Sequence, residues 1–317
     1  MSDVRRIPAT ADGGPGPRFP APPGTRFPAV LADAENAAVA GQTAYLRLSA
    51  IGLVLACLAA AGGAIPYGVR LDGHPVDLGG LLAALAFAAG IGVASYLLST
   101  TPMRSWYEGR AAAESVKTIA WQYSVGGGLF RVDTAADPDA LLVDRLAGIM
   151  GEMRAVRVLA AVGGEQITPG MRALRAEPLP VRRAHYLAER VDDQVRWYGA
   201  KARFNQRRVR LWFAVAIGAQ TAGLVAAGVK AFAGVDVDVL GIAAALAASG
   251  TAWLQTRDHQ NLAESYAVTG RELSIIRARA DAGAGAGGEE AWAAFVAGAE
   301  RAVSREHTLW LARRGSA

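Results

Sequence analysis

The chain has 317 residues and a single cysteine, Cys57. That excludes a disulfide framework and any cysteine-based metal site, and the apolar run around Cys57 marks it as a packing residue. Histidine is scarce too: His74, His185, His259 and His307 form no i, i+3 or i+4 pair that could grip a metal from one helix. Nucleotide-cradling loops are missing, because VGGGLF at 125–130 lacks the Lys-Ser/Thr of a phosphate loop and reads as a helix stop. No nucleophile elbow, HExxH or paired-carboxylate motif occurs, and the adjacent Asp192 and Asp193 point to different sides of a helix. These absences predict a protein that is not an enzyme, with no catalytic residues, no cofactor and no bound metal.

Charge is the next thing in short supply. The chain is 52% hydrophobic and only 19% charged, with a mean hydropathy of +0.21, and the apolar excess is gathered in blocks. No charged residue falls between Arg47 and Arg70, Asp77 and Arg104, Arg210 and Lys230, or Asp238 and Arg257. Those windows hold 22, 26, 19 and 18 residues. Crossing roughly 30 Å of hydrocarbon takes about 20 helical residues, so three windows suffice and the fourth is marginal. A soluble bundle of buried helices is the competing architecture, but such helices rarely come as four charge-free runs in two hairpins. The fold class predicted is therefore an all-α integral membrane protein: two transmembrane helical hairpins, each followed by cytoplasmic helices.

The hairpin turns are RLDGHPVD (70–77) and KAFAGVDVD (230–238), with one basic residue each. Between the hairpins, residues 101–210 carry 18, and the other 13 lie before the first or after the last span. The positive-inside bias then predicts a multi-pass protein of a bacterial inner (plasma) membrane with both termini cytoplasmic. Residues 1–30, rich in Pro and Gly, read as a disordered leader rather than a cleavable signal peptide. Residues 31–180 read as the first two-span module with its cytoplasmic helices, and 181–317 as the second. AES recurs at 113–115 and 263–265, an echo that suggests duplication.

Helix signals mark the cytoplasmic parts. A helix over 103–124 ends at the triple glycine; Asp137-Pro138 and Thr168-Pro169 each pair an N-cap with a first-turn proline. From Pro180 one helix is expected to run straight into the third span, and the fourth span straight on into HQNLAESYAVTGRELSIIRARA. A DAGAGAGG linker then precedes a last amphipathic helix from Glu289.

Three groups of residues stand out. Trp106, Arg110, Glu114, Lys117 and Trp121, spaced 4, 4, 3 and 4, form one helical stripe of charges between tryptophans. It reads either as a docking surface for another helix or subunit, or as an exposed ion-pair row beside a belt tryptophan. Gln220, with Thr221 beside it, is the polar centre of the third span. It either bonds a neighbouring helix or faces a water-filled oligomeric pore. The spans hold no Asp, Glu, Lys, Arg or His, which argues against ion-coupled transport and voltage sensing. The basic run Arg190, Arg196, Lys201, Arg203, Arg207, Arg208 and Arg210 supplies inside charge and anionic-headgroup contact. A nucleotide is its alternative ligand. Nothing base-reading accompanies it, so no nucleic-acid partner is expected.

WYEGRAAAESVKTIAWQY followed by VGGGLF resembles the signature of the SLATT family, two-transmembrane effector domains associated with nucleotide-synthase and SLOG systems. QVRWYGAKARFN, with Gln194, Trp197, Tyr198, Lys201 and Asn205, is similar to the second SLATT type. So is SREHTLW, with Ser304, Arg305, Glu306, His307 and Trp310. Over residues 30–315 the chain resembles a tandem fusion of both types. The resemblance implies a homo-oligomeric bacterial membrane effector of conflict or phage-defence systems that forms pores or disrupts the bilayer. Its trigger would be a cytoplasmic sensor protein or a nucleotide second messenger. In that setting the 106–121 stripe is the cytoplasmic coupling surface. A non-conducting scaffold that recruits a cytoplasmic partner through the same stripe stays open as the other class.

Overall fold

A computed structural model describes residues 27–65, 67–72, 74–152, 164–233 and 239–314, with the side chains of 305–314 outside that description. Most of the expected 1–30 leader, most of the second hairpin turn and the side chains of Arg305, Glu306, His307 and Trp310 therefore lie outside the described residues. In chain order come α1 (Ala29–Ala64), β1 (Gly68–Leu71), β2 (His74–Asp77), α2 (Leu78–Thr100) and α3 (Pro102–Val125). Then follow α4 (Pro138–Glu152), α5 (Pro169–Ala176), α6 (Leu179–Tyr186) and a π-helical turn (Leu187–Asp192). The chain continues with α7 (Asp193–Ala233), α8 (Val239–Arg257), α9 (His259–Asp281) and α10 (Glu289–Arg314).

By length and composition three helical runs can cross a membrane: Ala29–Ala64, Leu78–Phe130 and Leu179–Phe232. Within the last two, 78–103 and 211–229 are the charge-free windows. α8, with 19 residues, occupies the marginal fourth window.

The chain divides into two compact units that do not follow the halves of the sequence. The first is drawn from Met1–Gln42, Met103–Asp193 and Leu273–Ala317, the second from Thr43–Pro102 and Gln194–Glu272. Each unit therefore takes segments from both tandem modules.

In the second unit the first polar turn is a β-hairpin, Gly68 pairing with Asp77 and Leu71 with His74. It turns through Asp72, whose φ of 49° suits a short polar side chain at the start of a tight turn. Asp77 then caps α2, its Oδ1 accepting from Gly79 N at 3.0 Å. The end of α1 meets the start of α2 glycine to glycine. A Cβ on Gly62 would lie 2.7 Å from Gly79 O, and one on Gly79 would lie 2.5 Å from Gly62 O. Along these helices large apolar side chains face outward, up to 80% exposed for Leu98 and 95% for Phe232. Outward apolar surface on this scale needs lipid, not water. Span hydroxyls bond back to their own helix, Thr221 Oγ1 to Ile217 O at 2.9 Å and Thr251 Oγ1 to Ala247 O at 3.0 Å. Cys57 is half-buried and donates to Ser249 Oγ at 3.3 Å.

The passage from span to following helix is the same twice. Thr101 between α2 and α3 has φ 42°, and Asp258 between α8 and α9 has φ 50°. Each amide still donates back into the helix it ends, to Leu97 O at 3.1 Å and Leu254 O at 3.0 Å. One left-handed residue thus redirects the chain without a loop. The fourth span was expected to run on unbroken past 258; the break at Asp258 corrects that. The AES echo is also out of step with these breaks, falling 12 residues after Thr101 but 5 after Asp258.

The first unit has an alanine-rich seam where α1 meets α3: Ala34, Ala37, Ala112 and Ala120 are buried with Val116. Small side chains let the two backbones approach closely. A Cβ on Gly109 would sit 2.6 Å from Ala38 N and 2.9 Å from Ala34 O. Gly109→Val should therefore cost about 1–3 kcal/mol by forcing the helices apart. Thermal unfolding of the solubilised protein checks this, and an unchanged midpoint would refute the tight seam.

α3 stops as its glycines dictate. Gly126, at φ 73°, and Gly127 send their amides back to Tyr123 O (3.4 Å) and Gln122 O (2.7 Å), a Schellman cap. Asp137 Oδ1 accepts from Ala140 N at 2.9 Å and Thr168 Oγ1 from Met171 N at 3.3 Å, so both expected N-caps are in place.

Candidate functional site

α10 carries one carboxylate into the interior of the first unit. Glu300 is 0% exposed, and Arg190, on the π-helical turn, is 1% exposed. Glu300 Oε1 accepts from Tyr186 Oη at 2.9 Å and Arg190 Nε at 3.0 Å. Its Oε2 accepts from Thr118 Oγ1 at 2.9 Å and Arg190 Nη2 at 2.7 Å. Four donors from α3, α6 and the π turn thus converge on one carboxylate, with Arg190 bound side-on to both oxygens. The same Nη2 reaches Glu114 Oε1 at 2.9 Å, while Arg190 Nη1 has no partner. Burial works against the Arg190 charge, but Glu300 and Glu114 overcome it and hold the guanidinium protonated well above its usual range. Burial and the Glu300 carboxylate push the Tyr186 hydroxyl well above ordinary phenol behaviour. Neither group changes charge at physiological pH. The cluster is a many-donor ionic lock on α10.

Around it α10 presents an apolar stripe. Trp292, Val296, Ala299 and Val303 are all buried, at helical spacing with Glu300. Trp292 Nε1 donates to Val125 O at 2.8 Å, and Arg182 Nη1 donates to the same carbonyl at 2.7 Å. Two side chains thus complete the end of α3 where its own ladder stops. Val296 seats directly on the triple glycine: a Cβ on Gly127 would stand 2.3 Å from Val296 Cγ1.

The 106–121 stripe is placed differently from an open coupling surface. Trp106, Lys117 and Trp121 are 7%, 4% and 5% exposed. Lys117 Nζ pairs with Glu35 of α1 at 2.6 Å, Glu114 with Arg190, and Trp121 meets Phe27, His185 and Tyr186 edge-on or tilted. Arg110 is half-buried on the same face. The exposed ion-pair row is thereby corrected: these residues dock against helices of their own chain.

The second-module motif is a comparable seam in the second unit. Gln194, Tyr198, Lys201 and Asn205 lie on one face of α7, with Gln194, Tyr198 and Asn205 buried. Asn205 Oδ1 meets His259 Nδ1 at 2.7 Å, and Trp197 and Tyr198 contact Tyr266 with ring centroids at 5.3 and 5.7 Å. Lys201 Nζ lies 5.8 Å over the Trp197 ring. Ser304 is half-buried on α10. Arg190 departs from the sequence expectation, since burial against Glu300 removes it from the headgroup-facing run. Gln220 is exposed and makes no hydrogen bond among the described residues. Tyr186, Glu300, Arg182 and His259 were missed by sequence reasoning. One signal was available for Glu300: it is the charged residue in the apolar stripe of an amphipathic helix.

Long apolar helices clad in outward hydrophobic side chains, joined to a separately cored helical unit, define an all-α integral membrane protein. Residues 28–183 match the model of SMODS and SLOG-associating 2TM effector domain 3, and residues 186–310 that of SMODS and SLOG-associating 2TM effector domain 1. The chain belongs to the SLATT family, with two of its effector domains in tandem. No curated protein and no solved structure matches it.

Proposed function

We propose that this protein is a pore-forming or membrane-disrupting effector of a bacterial conflict or phage-defence system. It sits in the inner membrane with both termini cytoplasmic, acts as a homo-oligomer and is switched by a sensor protein or a nucleotide signal. No catalytic step is assigned to it. The observation that carries the reading is Gln220, an amide exposed mid-span with no hydrogen bond among the described residues. In hydrocarbon such a group calls for another copy or for water, and a water-filled oligomeric pore supplies both. Dye release from liposomes holding the full-length protein, with and without cyclic nucleotides, tests this. Gln220→Leu is expected to cut release about tenfold by dewetting the constriction, while assembly survives. Tight liposomes under every condition, with a cytoplasmic protein still recruited, would instead establish a non-conducting scaffold.

A further inference from the structure

We infer that one face of α7 is an anionic-phospholipid site, with the headgroup phosphate on Arg203, Arg207 and Arg210 and an acyl chain on the apolar residues that continue the same stripe. Residues 203, 207, 210, 214, 217, 221 and 224 alternate steps of four and three, which keeps them on one helix face, and every one of them is exposed. The stripe begins as three arginines and continues as Ala214, Ile217, Thr221 and Leu224. Thr221 spends its hydroxyl on Ile217 O, so it offers a lipid chain no unsatisfied donor, and Gln220 stands at the edge of the stripe.

The arginines decide the occupant. Arg203, Arg207 and Arg210 make no ion pair among the described residues. In the first unit Arg172, Arg182 and Arg190 all find carboxylates. Two copies of α7 meeting along this stripe would set arginine against arginine, which disfavours a second chain. A phospholipid fits both ends: its phosphate accepts from guanidinium groups in fork geometry and its chain covers Ile217 and Leu224. From Arg203 to Arg210 the helix rises about 10 Å, the depth of a headgroup layer beside one leaflet. Rings next to the stripe hold neighbouring cations in place: Arg208 lies 5.3 Å over Phe204 and Lys201 lies 5.8 Å over the same ring.

Phe213, exposed and set between Arg210 and Ile217 at helical spacing, borders the stripe, and Phe213→Trp places a reporter there. The full-length protein in neutral detergent micelles is titrated with phosphatidylglycerol or phosphatidylcholine carrying brominated chains, and tryptophan quenching is followed. The expected result is quenching by phosphatidylglycerol at far lower lipid in Phe213→Trp, over and above that of the native tryptophans. It should shift about fivefold per arginine removed, roughly a hundredfold in R203Q/R207Q/R210Q, and remain unchanged in R131Q/R172Q. Equal quenching of Phe213→Trp by the two lipids would overturn the site. Relief by millimolar inorganic phosphate would reassign it to free anions. Quenching that follows protein concentration and ignores lipid charge would seat a second copy there. Both of these outcomes also reject the proposal. None depends on whether the protein conducts.

Discussion

Replacing Glu300 by alanine should destabilise the first unit by about 3–5 kcal/mol, the cost of removing one partner from a buried ion pair. The magnitude follows from what remains. Arg190 is 1% exposed, already has one nitrogen without a partner, and would keep only Glu114. It cannot escape by losing its proton, because a guanidinium stays charged even without that carboxylate. Tyr186 and Thr118 would each lose an acceptor as well. Removing both charges together, as in R190M/E300L, should recover most of the loss, since apolar replacements of similar volume satisfy such sites. Thermal unfolding of the detergent-solubilised full chain, followed by tryptophan emission, measures both. A drop below about 1 kcal/mol in E300A would mean that the pair is solvated and that α10 is not locked by it.

Trp292→Ala is expected to cost a similar amount, about 3–5 kcal/mol, for a different reason. Trp292 is completely buried, stacks on Phe295 at 5.6 Å and meets Tyr186 edge-on at 5.6 Å. Its removal opens a cavity beneath α10 and takes one of two donors from Val125 O, leaving Arg182 as the other. Tyr186 touches both Trp292 and Glu300, so the double variant W292A/E300A should lose less than the sum of the two single losses. Limited proteolysis at the glycine-rich 282–288 linker supplies a second readout, because an undocked α10 leaves that linker open to cleavage. Full additivity would show that the ring and the carboxylate act independently.

Much of the helical plan was legible because it depends on local chemistry. Asp137, Thr168, Pro169 and the triple glycine act within a turn of themselves, and each marks a helix end where its side chain or its freedom at positive φ requires. The charge-free windows were equally plain, since hydrocarbon length is counted along the chain. Distant pairing was not legible. Nothing near Glu114 names Arg190 as its partner, and nothing near Lys117 names Glu35. The stripe was visible; what covers it was set by tertiary packing. The break at Asp258 was hidden for another reason: aspartate seldom takes positive φ, so a helical run through it is the ordinary expectation. The π-helical turn at Leu187–Asp192 likewise has no sequence signature, although it is where Arg190 turns inward.

The interleaving of the units has a consequence for stoichiometry. α3, from one effector domain, is capped and covered by α10, from the other. Had the two domains been separate polypeptides, that docking would be a bimolecular step governed by the expression level of each. On one polypeptide the partner is present at a fixed effective concentration and in a ratio of one to one. An orphaned half cannot accumulate, and for the membrane-disrupting effector proposed above this makes joint translation of both domains a safeguard.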